Sequence, residues 1–103
     1  VVSGLSKVAQ WHEIDEYREN GYELLDVRSV EECGRGIIPG AINIPVDEIR
    51  ARYSELTNKN LLVNCQVGLR GHTGSMLLKE LGFNAVNLDG GYLTWINSPA
   101  AVN

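Results

Sequence analysis

Little in this 103-residue chain is suited to binding metal or crossing a membrane: it has two cysteines, two histidines, one methionine and one phenylalanine. Cys33 and Cys65 lie in different local settings, and neither belongs to a paired CxxC. That excludes a zinc ligand set and a disulfide framework of the secreted kind, and it points to a reducing compartment, the cytoplasm. No apolar run approaches the roughly 20 residues that span a bilayer. The opening "VVSGLSKVAQ" lacks the charged and apolar zones of a signal peptide. Positive charge is also scarce, with 9 Lys and Arg against 13 Asp and Glu and a net charge of -4. With no basic stripe, neither nucleic acid nor an anionic membrane surface is expected as a partner. There is no internal repeat and no low-complexity linker.

What is present suits one small domain. Hydrophobic residues make up 44% of the chain, enough for a core without metal or disulfide staples. A single domain over residues 1–103 is expected, and the start at Val1 rather than methionine is what a segment of a longer chain would show. Lys7 to Gln10 alternates weakly as a short strand, and "WHEIDEYREN" then sets Trp11, Ile14 and Tyr17 on one helical face before Gly21. "YELLDV" reads as a buried strand ending near Asp26, "RSVEECGRG" as a short helical turn, and Ala41 to Ile44 as a strand between a Pro-Gly turn and Pro45. "VDEIRARYSEL" carries Val46, Ile49, Tyr53 and Leu56 at helical spacing; "NLLVN" is a second buried strand. "SMLLKELG" is a helix stopped by Gly82, "NAVNL" a further strand, and "GGYLTWIN" a closing helix whose Tyr92 and Trp95 pack inward. Alternating strands and helices predict an α/β domain: a largely parallel central sheet, helices on both faces, and functional loops at the carboxyl ends of the strands.

One such loop stands out. "LLVNCQVGLRGHTG" places Cys65 directly after a strand, with four residues between it and Arg70, where a helix begins. A tight loop closing onto a helix start aims several backbone N–H groups at one point, and the helix dipole adds positive potential. An anion would bind there, and a cysteine at the centre would favour its thiolate form. Gly68 permits a backbone conformation that Cβ-bearing residues resist, and Gly71 lets the loop enter the helix without crowding. Arg70 at a helix start is disfavoured by the dipole, which argues for an anion-binding role. Cys33, in "EECGRG", sits beside two acids and has no glycine cradle, so it reads as packing. His72 reads as a solvated first-turn residue, and Trp11, Tyr92 and Trp95 as core aromatics, Tyr92 being the one closest to the pocket rim.

At these residues the chain resembles the rhodanese superfamily, whose active loop is a cysteine, four residues and an arginine. "LLDVR" at Leu24 to Arg28 is similar to the family's Asp-Val-Arg strand end. "GIIPGAINIP" is similar to its Gly-His-Ile-Pro-Gly-Ala segment, and "LDGGYLTW" to its Gly-Gly-aromatic-Trp turn. The resemblance implies a rhodanese-like domain and a metal-free sulfurtransferase mechanism. The Cys65 thiolate would attack a sulfane sulfur, hold it as a persulfide cradled by the amides of Gln66, Val67, Gly68, Leu69 and Arg70, and pass it to a nucleophilic acceptor. Asp26 would support the loop architecture, because a free carboxylate beside the cysteine would oppose its ionisation. Arg28 would divide between ion pairing and receiving an anionic donor.

Ile37 stands where the family often has histidine. Gln66, Val67 and Leu69 replace the extra basic residues of thiosulfate specialists. Such an apolar rim suits a larger donor, such as coenzyme A persulfide, glutathione persulfide or a protein persulfide, better than small, dianionic thiosulfate. The stretch from Asn64 to Tyr92 also resembles the C-terminal rhodanese domain of coenzyme A disulfide reductases and related persulfide reductases. That implies a fused flavoprotein domain holding FAD and using NAD(P)H. This chain has no dinucleotide glycine fingerprint, so those cofactors would belong elsewhere. Two other functions compete: a non-catalytic rhodanese-like binding or regulatory module, and a cysteine-based phosphatase, whose related loops carry five residues between cysteine and arginine rather than four.

Overall fold

"NLLVN" forms strand β4 (Asn60–Asn64), and its apolar run has a simple cause: both faces of the strand are covered. Leu61 and Val63 enter one core and Leu62 the other, all at 1% exposure or less. β4 lies between β2 (Glu23–Asp26) and β5 (Asn84–Leu88) in a five-stranded sheet. The edges are two short strands, β1 (Val8–Ala9) beside β5 and β3 (Ile42–Asn43) beside β2. The strand order is β1-β5-β4-β2-β3, and every pairing is parallel, so the largely parallel sheet expected is wholly so. The computed structural model describes residues 8–102, apart from the side chain of Val102. Lys7, expected to open the first strand, falls outside that range.

Helices cover both faces, as the alternation predicts. On one side Leu25, Val63 and Ala85 pack with Ile49 of α3 (Ile49–Arg52) and Leu78 of α4 (Leu69–Glu80). On the other, Leu24, Leu62 and Val86 meet Ile14 of α1 (Ile14–Glu19), with Tyr92 and Trp95 of α5 (Gly91–Ile96) partly buried against them. Each fully buried leucine or valine of this kind stabilises the fold by about 2 kcal/mol.

Three elements differ from the sequence reading. The helix expected from Trp11 opens as a 3-10 turn at Trp11–Glu13 before α1. β3 keeps only the middle pair of the strand expected over Ala41 to Ile44. The helix expected from Val46 to Leu56 is broken into a 3-10 turn, the four-residue α3 and a second 3-10 turn at Tyr53–Glu55. Its backbone leaves helical geometry at Arg52 (φ −124°, ψ 1°). Ile49 and Leu56 stay in the core, whereas Tyr53 lies at the surface, its ring meeting Phe83 edge-on at 6.4 Å.

Candidate active site

The parallel strands all end on one side, and β4 delivers Cys65 there. Cys65 follows the strand, residues 66–68 form the loop, and α4 starts at Leu69. The Gly68 N–H donates to Cys65 Sγ at 3.0 Å. Gly68 makes this approach with φ +103°, a left-handed conformation open to glycine at little cost. Its carbonyl is held in turn, accepting from Asn87 Nδ2 at 3.1 Å and from the His72 N–H at 3.0 Å.

The other side of the loop rests on the start of α5. The Tyr92 and Leu93 N–H groups donate to the carbonyls of Cys65 and Gln66 at 2.6 and 3.0 Å. Gly91 permits that contact, because a Cβ on it would fall on the Cys65 carbonyl oxygen. A Cβ on Gly71 would likewise collide with Asn87 Oδ1. Cys65 itself is 1% exposed, while Val67 and Leu69 stand out at 51% and 75%.

Two arginines flank the loop, and each is bound to a carboxylate. Arg28 is buried at 2% exposure, with Nη2 2.8 Å from Oδ2 of fully buried Asp26 and Nε bonding both carboxylate oxygens. Arg28 Nη2 also donates to the Gly36 carbonyl at 2.7 Å and Nη1 to Gln66 Oε1 at 3.3 Å, and the guanidinium lies 4.1 Å from the centre of the Tyr92 ring. Of the two roles expected for Arg28, this geometry uses the ion pair: the fork is committed to Asp26 and Gly36. Asn43 completes the support by donating to the carbonyls of Asp26 and Arg28, both at 2.9 Å.

Arg70 lies in the first turn of α4, as expected, yet it is not an open anion receptor. Its two terminal nitrogens bond both oxygens of Glu32 at 2.7 and 2.8 Å. Glu32 reaches that place from α2 (Val30–Gly34), whose start is a capping box: Ser29 Oγ accepts from the Glu32 N–H, and Glu32 Oε1 accepts from the Ser29 N–H. The hydrogen bonds from Arg70 are the largest cause that lowers the Glu32 carboxyl to a pKa of about 2. Burial, and then the Asp26 carboxylate, push the Cys33 thiol up to about 11, so Cys33 is protonated at neutral pH. His72 is exposed and Ile37 half-buried.

Arg28, Glu32, Arg35, Gly36, Gln66 and Tyr92 line a cavity of about 230 Å³ beside the loop. Among the described residues, no group of three or more His, Cys, Asp or Glu could hold a metal ion. The sequence reading gives no site role to Glu32, Asn43 or Asn87. For Glu32 a signal existed, since Ser29 and Glu32 stand at capping-box spacing; Asn43 and Asn87 give none, because their partners are backbone groups far along the chain.

The model of the rhodanese-like domain matches residues 10–98. The chain belongs to the rhodanese-like family. Human thiosulfate:glutathione sulfurtransferase is 39% identical over 89 residues, covering 71% of this chain and 77% of that protein. Among solved structures, reduced Bacillus anthracis CoADR-RHD superposes with a TM-score of 0.84 at 42% identity, over 92% of this rhodanese domain and 17% of that chain. An NAD-dependent persulfide reductase from A. fulgidus gives 0.73 at 36%, over 89% of this domain and 16% of that chain. The rhodanese domain thus spans about a sixth of each of these two larger proteins. The likeness expected to rhodanese domains within larger reductases is met.

Proposed function

We propose that this domain is a sulfurtransferase that carries sulfane sulfur as a persulfide on Cys65. The observation that carries the reading is the 3.0 Å hydrogen bond from the Gly68 N–H to Cys65 Sγ, inside a loop of four residues closed by Arg70. Burial alone would suit an inert, core-packed cysteine. A backbone donor aimed at the sulfur suits one that must carry negative charge.

In the forward half-reaction the Cys65 thiolate forms an S–S bond to the sulfane sulfur. The bond joining that sulfur to its carrier breaks, and the carrier departs with the electron pair, as sulfite from thiosulfate or as a thiolate from a low-molecular-weight or protein persulfide. An acceptor thiolate then attacks the outer sulfur, and Cys65 leaves as thiolate. No net oxidant or reductant is consumed. Gly68 steadies the charge on Cys65. Asn87 and the α5 amides hold the loop carbonyls, Gly71 lets the loop enter α4, and Gln66, Val67 and Leu69 flank the cysteine. Asp26 and Arg28 support the loop from β2.

Exposed, apolar Val67 and Leu69 on the loop favour donors with an organic body, such as glutathione or coenzyme A persulfide. The similarity to a human enzyme named for thiosulfate and glutathione supports the sulfur-transfer class. The two larger reductases support a role as one domain of such an assembly, where FAD and NAD(P)H would lie in the fused part. Two free cysteines accord with a reducing, cytoplasmic setting.

Intact-mass spectrometry tests the reading directly. Reduced protein exposed to a sulfane donor should gain one sulfur, about 32 Da, and a thiol should release it. Cys65→Ser should gain nothing and keep its fold. A gain that persists in the mutant overturns the assignment. A folded protein that no donor loads would leave the domain as a binding module.

A further inference from the structure

The two guanidiniums beside the loop raise a question about the charge of the donor. Arg28 is balanced by Asp26, and Arg70 by Glu32. Arg70 follows the loop and interacts electrostatically with Cys65 and Asp26. Glu32 also lines the cavity that Gln66 of the loop borders. Among the lining residues, Arg35 supplies the remaining positive charge, and it is exposed.

Resting on the sulfur-transfer reading, we propose that Glu32 is a specificity-determining residue: by occupying the Arg70 fork it selects sulfur donors of low charge and disfavours small dianions. The bidentate geometry matches a planar carboxylate to the guanidinium on the edge a donor's sulfonate or carboxylate would use. A dianion must either displace Glu32 or sit beside its negative charge. A donor carrying its bulk as an apolar body meets Val67 and Leu69 instead, and leaves the pair intact. Because Arg70 holds the Glu32 carboxyl at a pKa of about 2, the gate stays ionised throughout the physiological range.

Thiosulfate and methanethiosulfonate separate charge from chemistry. Each gives its terminal sulfur to the Cys65 thiolate as the sulfur–sulfur bond breaks, releasing sulfite from the dianion and methanesulfinate from the monoanion with the electron pair. Glu32→Gln keeps the cap, since glutamine serves at that place in a capping box. It frees the Arg70 charge. The kcat/KM of persulfide loading should rise on the order of tenfold with thiosulfate and about threefold with methanethiosulfonate, because the energy of removing one nearby negative charge scales with donor charge. Both gains should shrink with added salt.

Arg70→Ala, which leaves Glu32 unpaired, should move the thiosulfate to methanethiosulfonate ratio the opposite way. An unchanged ratio in folded Glu32→Gln overturns the proposal. A second readout does not need turnover: thiosulfate should bind Cys65→Ser/Glu32→Gln more tightly than Cys65→Ser, and equal affinity overturns the proposal. If the wild-type protein loads no sulfur at all, the sulfur-transfer reading fails by itself, and the binding comparison still decides the role of Glu32.

Discussion

Asp26 and Arg28 show how much one pair of residues can carry. Both are buried, and their ion pair sits where β2 ends beside the loop. Removing one partner of a buried pair leaves the other charge unmatched, at a cost of about 3–5 kcal/mol. Asp26→Asn should therefore lower unfolding stability by about 3 kcal/mol in urea titrations, while a loss under 1 kcal/mol would show the pair to be dispensable. At this scale the sequence was legible where a residue type is unusual for its position. An arginine at a helix start violates a local preference, and that arginine, with the glycines of the loop, lifts a cysteine after a strand out of its ordinary packed role. Glu32 violates nothing, since an acid in a first helical turn is ordinary, so its engagement with Arg70, 38 residues away, was hidden until the fold brought α2 and α4 together.

Among the elements, α5 does more than cover the sheet. Its first turn supplies the N–H groups that hold the Cys65 and Gln66 carbonyls, and Gly91 sits at the contact with φ +59°. Gly91→Ala should cost about 1–3 kcal/mol in stability and reduce sulfur loading, because the new methyl group can be accommodated only by moving the loop. Wild-type loading in that variant would mean the α5 contact does not set the loop's geometry. Strands and helices with strong periodicity were readable at this scale. β4 and β5 stand as the apolar runs predict, and α4 and α5 end at or near the expected stops. The broken helix around α3 was not readable: spacing at 46, 49, 53 and 56 suits one continuous α-helix, and nothing local marks the turn at Arg52 that carries Tyr53 to the surface.

For the molecule as a whole, an acidic chain with a depressed carboxyl should respond to pH in a defined direction. Glu32 has a folded pKa of about 2 against the usual value of 4.5, so its pairing stabilises the fold fully above about pH 4.5. That contribution fades as the pH falls from there through about 2. With Arg70 40% exposed, solvent screening reduces it to about 1 kcal/mol. Urea midpoints should show wild type above Glu32→Gln at pH 7 and the two converging as the pH falls through about 2. A gap that widens in acid would reverse the sign and refute the pairing. Architecture was the most legible level of all, because alternation of buried strands and helices admits few arrangements. The strand order was less so, since nothing local says that the first strand lies beside the last.

That pairing of β1 with β5, together with the grip of α5 on the loop, gives vectorial synthesis a consequence. A chain emerging from the ribosome cannot complete the sheet until residues 84–88 appear, and it cannot shape the loop until Gly91, Tyr92 and Leu93 follow. Cys65 thus acquires its surroundings only after nearly all of the domain has been made, so a nascent or truncated chain lacks the contacts that shape the loop.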